Sequence, residues 1–542
     1  MKRPFVKISF GAGALLFGLL IVPQACTNLD ETPLSLITPG NFFHTEPEVL
    51  AGLAGVYAQL RSTAPEGGLY DANEVSTDEI VVPIRGKDWN DNGQWIDLHN
   101  VTWTPTSIAT TNFFNGAWNT AYTGVARANL FLSAMENSTV PNKARYVAEG
   151  RTLRAFYYYL LMDMFGGVPI VTTTDIQLKA RSTRRELFDF IESELIAARD
   201  SGLPDTWGAA NNGRLTKWAA DAILANMYLN AGVFTKDGAG TGGINATGYN
   251  SCQGVTVSGG QGACAAAIAA ADRILNSGKY SLADSFPQNF RADNYKSPEN
   301  IFVVKFIPAD NLGMGITMAA LHYCQYAPLT PWNGFSTLAQ TFNAFDPTDK
   351  RRNAILIGPQ RDVLTGALVT VRVSNACPAY TPANALVFTD SIANIRSATE
   401  GEGPRIYKWP ADPAHVAQNS GNDFAWFRLG EIYLIKAEAQ HVLGQDGPAL
   451  TVLNTLRART DPVAPPLAAV SDSVILRERL FELFGEVKRR QDLVRFGKFT
   501  NRTDAASGLV GGKVASADYY VLMPIPQTQI SANPMLSQNP GY

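Results

Sequence analysis

Apolar residues recur at a helical spacing along most of the chain. In the segment 47–61, Val49, Leu53, Val56 and Leu60 fall on one face of a helix. The same spacing of three to four residues predicts helices in other parts of the chain. Their expected ranges are 112–135, 141–165, 183–199, 215–231, 263–275, 424–443, 448–459 and 473–496.

Several of these helices carry local start and stop signals. Pro141 suits the first turn of a helix, and Gly166 with Gly167 ends one. Thr183 and Glu186 have the spacing of a capping box. Short connections pair 112–135 with 141–165, 183–199 with 215–231, and 424–443 with 448–459. Stacked helical pairs of this kind are typical of tetratricopeptide-type solenoids.

The pattern changes in the middle of the chain. Residues 280–423 contain short β-like runs, such as 301–307 and 368–373, separated by long loops. The pattern therefore predicts a mainly α chain of helical pairs with a large irregular region that contains short strands. The expected divisions are 1–25 (signal), 26–279 (helical, with a loop insertion near 85–103), 280–423 (irregular) and 424–542 (helical).

The N-terminus has the features of an export signal. Lys2, Arg3 and Lys7 precede an apolar run over 10–22, which is short for a membrane-spanning helix. Cys26 follows the small residue Ala25. This order predicts that residues 1–25 are removed by cleavage before Cys26 and that Cys26 is lipidated. Lipidation would anchor the protein to a membrane. The alternative is ordinary cleavage, which would leave Cys26 as a thiol.

Four other cysteines, an even number, favour disulfides in an exported chain. They are Cys252, Cys264, Cys324 and Cys377. Cys252 and Cys264 bracket a short loop and can pair locally, which would leave Cys324 to pair with Cys377, but all three pairings remain open. No CxxC spacing is present, so a zinc site is not expected.

Charge and motifs narrow the classes of function. The formal net charge of −3 argues against a nucleic-acid partner, which requires a basic surface. The chain has no HExxH, GxSxG or phosphate-binding P-loop motif, and its histidines are scattered. We therefore predict no catalytic residues, no metal and no cofactor.

Five stretches, taken in order, resemble the SusD/RagB family of nutrient-binding outer-membrane lipoproteins of Bacteroidetes. The resemblance runs from the lipid-type cysteine to the last residue, and several motifs in the same order are more specific than any one alone. The stretches are RAFYYY through FGGVP (154–169), FRLGEIYLIKAEA (427–439), LRAR (456–459), ERLFELFGE through DLVRFG (478–497) and the C-terminal segment 522–542.

The resemblance implies a fold, a tetratricopeptide-like superhelix of helical pairs with an irregular half, and it also implies a function. Members of the family are non-enzymatic, lipid-anchored proteins of the cell surface. They capture an oligosaccharide or another nutrient and deliver it to a SusC-like TonB-dependent transporter of the outer membrane. The expected ligand is an oligosaccharide or polysaccharide. The alternatives are a peptide or glycopeptide with the same partner, a surface glycoside hydrolase, or a structural lid whose transporter holds the ligand.

The segment 85–99, RGKDWNDNGQWIDLH, is the first candidate ligand site. The spacing D-x-N-x-N-G from Asp88 is similar to a calcium loop, but His99 occupies the position where such a loop needs a bidentate carboxylate. Its aspartates, with Asp78 and Glu79, are also candidates for a glycosidase pair, although aspartate in such loops more often forms turns. Neither chemistry is favoured over ligand stacking.

Stacking of a sugar ring on indole is the favoured interpretation of this segment. Tryptophan offers a flat apolar surface, and charged neighbours form strong hydrogen bonds with hydroxyl groups. The alternative is that either indole packs the loop against the helices, as we expect for Trp103. The predicted ligand residues here are Trp89, Trp95, Arg85, Asp88, Asn90 and Asp91.

A second candidate patch follows at 322–335, where a Pro-Trp-Asn-Gly turn presents Trp332 at a loop tip. Tyr326 and Asn333 complete the predicted patch. The alternative is that Trp332 covers the core. Three other segments are predicted to be structural: the charges of 478–490 as a solvated helix face with intrachain pairs, 346–352 as a helix-end salt-bridge cluster, and the tyrosines 157–159 as helix packing.

Overall fold

The computed structural model describes residues 43–65, 67–175, 177–504 and 508–542, so the expected signal at 1–25 and Cys26 lie outside the described residues. The described chain is mainly helical. Its α-helices are α1 (Glu46–Ala58), α2 (Gly68–Glu74), α3 (Gln94–Asn100), α4 (Asn115–Glu136), α5 (Lys143–Phe165), α6 (Arg184–Ser201), α7 (Lys217–Leu229), α8 (Ala231–Phe234), α9 (Ala263–Leu275), α10 (Ile316–Ala320), α11 (Ala339–Ala344), α12 (Leu429–Val442), α13 (Asp446–Arg457), α14 (Asp472–Leu483), α15 (Arg489–Arg495) and α16 (Gln527–Ala532).

The long helices form a continuous stack. Helix α4 packs on α5, α5 on α6, α6 on α7, and α7 on α9, while α12 packs on both α9 and α13. Each helix in this order covers an apolar face of the next, as in a tetratricopeptide solenoid. The three predicted helical pairs and the mainly α class are confirmed. The packing of α12 on α9 closes the stack across residues 276–428, which leave it and return.

Short antiparallel strand pairs accompany the helices. The longer pair joins β1 to β6. Strand β6 directly precedes α12, where the chain returns to the helical stack. The predicted helix 424–443 is therefore wrong for its first five residues, because 424–428 pair with β1 and only the remainder is helical. The strands are β1 (Asn300–Val304), β2 (Ile355–Leu356), β3 (Gly358–Pro359), β4 (Val387–Phe388), β5 (Arg405–Ile406) and β6 (Phe424–Arg428).

The expected helix 473–496 is interrupted at its centre. Helix α14 ends at Leu483 and α15 begins at Arg489, with Gly485 at φ +75° and Val487 at φ +60° between them. A left-handed backbone of this kind cannot continue an α-helix, and glycine adopts it readily. The break turns the backbone N–H groups of Gly485 and Val487 toward Glu79 and Glu74, respectively.

The charges of 478–490 are buried, so the predicted solvated face is wrong. Glu482 is fully buried and lies 2.8 Å from Arg428 and 3.2 Å from Arg351, with Arg459 also in contact. Burial alone would raise the pKa of Glu482, but these three guanidinium groups hold it well below its ordinary value. The cluster of 346–352 joins the same network, because Arg351 also pairs with Asp349 at 2.7 Å. The expected intrachain pairs are confirmed.

Two further packing predictions are confirmed. The side chains of the tyrosines 157–159 and of Trp103 are fully buried. The structure joins Cys252 to Cys264, with 5.1 Å between Cα atoms, and Cys324 to Cys377, with 5.7 Å. It therefore selects the local pairing from the three that the sequence left open.

Among the described residues, no helix is both long and apolar enough to cross a membrane.

Candidate ligand-binding surface

The segment 85–93 folds as two successive turns that lead into α3. Arg85 and Asp88 exchange two backbone hydrogen bonds of 3.0 Å around Gly86, which has φ +64°. A second turn places Asp91, Asn92 and Gly93 at positive φ immediately before α3. Glycine, asparagine and aspartate tolerate this backbone better than other residues, so the Asp-Asn-Gly sequence explains the local shape.

Trp89 lies between the two turns and connects this loop to a distant segment. Its indole N–H donates a 2.7 Å hydrogen bond to the carbonyl oxygen of Trp332. The ring covers Gly334, where an added Cβ would lie 2.3 Å from the indole, so only glycine permits this approach. Its edge meets the rings of Trp95 and Phe335 at centroid distances of 5.4 and 5.9 Å. Trp89 remains partly exposed.

Trp332 presents its side chain to solvent while its backbone is fixed. Its N–H donates a 2.7 Å hydrogen bond to the carbonyl oxygen of Met318, and its carbonyl oxygen accepts the bond from Trp89. The side chain is 37% exposed, which is unusual for so large an apolar group. Two partly exposed tryptophans, 243 residues apart in the chain, are therefore joined through the Trp332 backbone.

A polar cluster around Arg372 adjoins Trp89 through Asp88. Arg372 lies 3.1 Å from the Asp88 carboxylate and 3.4 Å from that of Glu400. Its guanidinium also lies 3.4 Å from the centre of the Tyr323 ring, a cation–π contact, and the Tyr323 hydroxyl donates to Asp88. The Asp88, Arg372 and Glu400 side chains keep exposed fractions of 41%, 21% and 26%.

The protonation states of this cluster follow from its contacts. Burial lowers the pKa of His322, whose Nδ1 accepts from the Cys324 N–H while its Nε2 lies 2.9 Å from Glu400. Burial opposes ionisation of Glu400, but the hydrogen bonds from His322 and Arg372 hold the pKa of Glu400 below its usual value. Burial and the adjacent Asp88 raise the pKa of Tyr323. At neutral pH Glu400 is therefore an ionised acceptor beside the Arg372 guanidinium.

The Cys324–Cys377 disulfide ties the two loops of the cluster together. Tyr323 precedes Cys324, and Arg372 precedes a tight turn in which Val373 and Ala376 exchange two backbone hydrogen bonds of 2.9 Å. The disulfide therefore holds the loop of Tyr323 against the loop of Arg372. A surface fixed before binding loses less conformational entropy when a ligand arrives.

The structure places five of the predicted ligand residues at or beside this surface. Trp89 and Trp332 carry the indoles, and Asp88 contacts Arg372. Asn90 and Asp91 are exposed on the second turn, where Asp91 also accepts a 2.8 Å hydrogen bond from the Trp95 indole.

The other four predicted ligand residues are buried, and we correct the expectation that they contact a ligand. Trp95 is 7% exposed and packs on Phe113. The Arg85 guanidinium donates to Ser336 Oγ and the Glu402 carbonyl, at 2.9 and 2.8 Å. The remaining two, Tyr326 and Asn333, are 1% and 0% exposed, with bonds to the Asp412 carbonyl and the Arg405 guanidinium. All four support the loops from beneath.

Sequence reasoning missed Tyr323, Arg372 and Glu400. Tyr323 lies within the patch that drew attention to Tyr326, but the sequence does not show that Tyr323 is the tyrosine that contacts Asp88 and Arg372. Arg372 stands in a strand-like run, and its only signal was the cysteine five residues later. Glu400 has no signal in its neighbourhood, because its role depends on contacts with residues 78 and 28 positions away.

The residues considered for other chemistries have different partners. Asp78 is paired with Arg489 at 2.7 Å, and Glu79 accepts from the Gly485 N–H, so neither faces the indoles. His99 is buried against Asp504 at 2.7 Å. Across the described ranges, no three histidine, cysteine, aspartate or glutamate residues are grouped in a way that would hold a metal ion.

Two family models match the chain. One, described as "SusD family", covers residues 239–542, and the other, described as "Starch-binding associating with outer membrane", covers residues 53–229. The second range ends with α7, and the first begins in the loop that follows α8.

Similar proteins span nearly the whole chain. The starch-binding protein SusD of Bacteroides thetaiotaomicron is 27% identical, covering 100% of this chain and 100% of its own. SusD-like protein P2 of Formosa agariphila is 22% identical, covering 97% and 98%. Among solved structures, a laminarin-binding SusD-like protein (TM-score 0.69, 21% identity) covers 92% of this chain and 100% of its own. Surface glycan-binding protein A from Bacteroides fluxus (0.69, 22%) covers 92% and 99%. These structures share the fold.

Proposed function

We propose that this chain, which belongs to the SusD family, binds a glycan at the surface formed by Trp89 and Trp332 and delivers it to a SusC-like TonB-dependent transporter. The observation that carries the proposal is that two partly exposed tryptophans are joined by the 2.7 Å hydrogen bond from the Trp89 indole to the Trp332 backbone carbonyl. Trp332 is 37% exposed, and an exposed apolar group of this size is typical of a binding surface.

The chemistry of the surface suits a saccharide. The C–H face of a sugar ring packs on indole, which has little rotamer freedom to lose. Asp88 and Glu400 are positioned to accept hydrogen bonds from hydroxyl groups, and Arg372 to donate them. Hydrogen bonds to ionised groups are stronger than those between neutral groups, so this edge would orient a ring that the indoles hold.

The relatives support this choice of ligand class. One relative is named for starch binding, and two solved structures are named for laminarin or surface glycan binding. A further solved structure of such a glycan-binding protein contains laminarihexaose. Starch and laminarin differ in linkage, so the shared property is glycan recognition and the type of glycan is a separate question for this chain.

The location and partner form part of the same proposal. Lipidation of Cys26 would hold the protein at the outer membrane, which the description of the second family model also names. Replacing Cys26 with Ser is expected to release the protein from membranes prepared without the transporter. Persistent membrane association of that variant would contradict the lipid anchor. Delivery to a transporter predicts co-purification of the two proteins from outer membranes.

Native affinity electrophoresis tests the function directly. The purified protein is run through gels that contain plant, fungal or bacterial polysaccharides, and each gel is assayed for released sugar. We expect retardation by one polysaccharide class, no sugar release, and loss of retardation in Trp332→Ala. Tyr295→Ala is the matched control, because Tyr295 is 47% exposed and contacts the lysines Lys296 and Lys305 instead.

Each other outcome has a defined meaning. Retardation that Trp332→Ala and Trp89→Ala both retain would place the glycan site elsewhere. Sugar release that disappears on replacement of Asp88 would identify a hydrolase. Absence of retardation in every gel, with the unaltered protein folded, would contradict glycan binding by this chain alone and favour a peptide-type nutrient.

A further inference from the structure

A cavity opens at α1, apart from the surface of Trp89 and Trp332. It lies between α1, the segment 211–214 and β1, and its volume is about 340 Å³. This volume is at the lower end of the range for small-molecule sites. None of its lining residues belongs to the surface of Trp89 and Trp332.

The walls of this cavity are mostly apolar. They are formed by side chains of α1 and β1 and by the ring of Tyr57. The Tyr57 hydroxyl is already occupied, since it donates to Glu149 at 2.6 Å and accepts from the Leu215 N–H at 2.9 Å. Tyr57 therefore offers its ring to a ligand and not its polar atom. The aliphatic walls are Leu50, Leu53, Ala54, Leu60 and Val303.

The charged groups at the cavity are all cationic. Arg214 is paired with Glu149, and Lys305 with Asp423. Arg61 differs from both, because no carboxylate of the described chain lies within 4 Å of it and its one hydrogen bond, to the Lys305 carbonyl, is 3.5 Å long. A half-buried guanidinium with a weak partner retains donors for an anionic group.

A close contact between Gly213 and Lys305 forms one wall of the cavity. Gly213, at φ +93°, lies against the aliphatic stem of Lys305, and a Cβ there would be 2.6 Å from the Lys305 Cγ. The neighbouring Asn212 side chain donates to the Tyr295 carbonyl at 3.2 Å. The segment 211–214 is thus held against Lys305 and Tyr295, so this wall of the cavity is formed before any ligand arrives.

We propose that this cavity binds an organic anion with an apolar body, of the class of aromatic carboxylates. The body lies on Leu53, Val303 and the Tyr57 ring, and the anionic group accepts hydrogen bonds from Arg61. Apolar walls alone would favour any hydrophobic molecule, but the unpaired cation at the rim selects a negatively charged one. This site is independent of the proposed glycan surface.

A fluorescent anion with an apolar body provides the test. Anilinonaphthalene sulfonate is titrated into the purified protein, and saturable binding at one site is expected. Arg61→Gln should weaken it about tenfold or more, the range for loss of a hydrogen bond to a charged group, and Arg61→Lys less. Ala54→Trp should abolish binding by filling the cavity, because Ala54 lines it from an exposed helical position.

Matched controls separate this site from others. Arg361→Gln removes an exposed arginine from the irregular region, and its dye affinity should equal that of the unaltered protein. The uncharged analogue phenylnaphthylamine should be insensitive to Arg61→Gln and sensitive to Ala54→Trp. Trp332→Ala should leave dye binding unchanged, and Arg61→Gln should leave glycan binding unchanged, so each proposal fails separately.

Two results would overturn the proposal. One is equal dye affinity in the unaltered protein and in Ala54→Trp, with both folded by circular dichroism, which would place the dye elsewhere. The other is equal weakening of the charged and uncharged dyes by Arg61→Gln, which would show that the arginine acts on the fold of the cavity and not on the anion.

Discussion

The cluster around Arg372 and the cluster around Glu482 contain the same types of charged residue, but the first is partly exposed and the second is buried. Glu482 is fully buried, and Arg351, Arg428 and Arg459 surround it. Arg372 and Asp88 lie at the surface, with 21% and 41% of their side chains exposed. Buried charges must satisfy one another, because water is absent. Partly exposed charges keep donors and acceptors that a ligand can use, so burial decides which arginine is structural.

The tryptophans show the same contrast. Trp426 is 1% exposed, and its N–H donates to the Thr63 hydroxyl at 3.0 Å inside the core. Trp89 also has its N–H bonded, but to a backbone carbonyl at the surface, and its neighbour Trp332 leaves its ring in solvent. Trp332, which is 37% exposed, therefore has apolar surface available for stacking on a ligand, whereas Trp426 has none.

The largest effect is expected from breaking the buried cluster. Glu482→Ala leaves three guanidinium groups without their shared carboxylate, and we expect a loss of about 3–5 kcal/mol in the free energy of unfolding. Urea denaturation measures it. The matched change at the surface, Glu400→Ala, is expected to cost much less, because Glu400 is partly solvated. Equal losses in the two variants would contradict the contrast between the clusters.

The disulfides are expected to have the next largest effect. Removing the Cys324–Cys377 bond with serine at both positions should cost about 2–4 kcal/mol of stability. It should also weaken glycan binding, because the loops of Tyr323 and Arg372 lose their connection. Serine at Cys252 and Cys264 is the control: it should lower stability in denaturant without changing glycan affinity. Affinity that survives loss of the first bond would show that the loops hold their positions without it.

Replacement of the indoles should act on binding and not on folding. Trp332→Ala is expected to reduce the free energy of glycan binding by about 1–3 kcal/mol, the loss seen when an aromatic side chain that stacks on a nucleic-acid base is replaced by alanine. The melting temperature should stay nearly constant. Trp89→Phe keeps a ring and removes the bond to the Trp332 carbonyl, so its loss should be smaller than that of Trp89→Ala. Calorimetric titration distinguishes the three variants, and equal affinities would remove the indoles from the site.

A smaller effect is expected from the exposed arginine. Arg372→Met should reduce glycan affinity by about 1 kcal/mol, the size of a typical hydrogen bond, and change stability little, because its ion pairs are partly solvated. Arg372→Lys keeps the charge but not the geometry of two bonds, and is expected to be intermediate. A large loss of stability in Arg372→Met would show that this cluster is structural, as the cluster of Glu482 is.

The smallest effect is expected from pH. The pKa of Glu400 is lowered in the fold, since the hydrogen bonds from His322 and Arg372 outweigh burial. Its contribution to stability is therefore fully present above the ordinary glutamate pKa of about 4.3. It is lost as pH falls through the lower value of the folded state. Thermal unfolding between neutral pH and pH of about 3 should show a shallower acid dependence in Glu400→Gln. Identical profiles would contradict the assignment.

Local sequence signals located much of this architecture. The capping box is present, with the Thr183 N–H donating to Glu186 at 2.7 Å, and Gly166 ends α5 at φ +78° as its position predicted. Such signals are reliable because both partners lie within one turn of the chain. The same locality explains the errors. Periodicity alone could not separate β6 from α12, or detect the break between α14 and α15, because β1 and the buried carboxylates responsible are distant in sequence.

The sequence by itself determined the helical pairs, the family resemblance and the two segments that hold Trp89 and Trp332. Only the tertiary structure decided which of their residues face solvent: Trp89 and Trp332 do, whereas Trp95, Arg85, Tyr326 and Asn333 lie beneath. It also brought Arg372 and Glu400 to Asp88. Helix formation depends on neighbours three and four residues apart, which a sequence displays. The exposure of a side chain depends on what packs over it from elsewhere in the chain, and that is settled only when the chain folds.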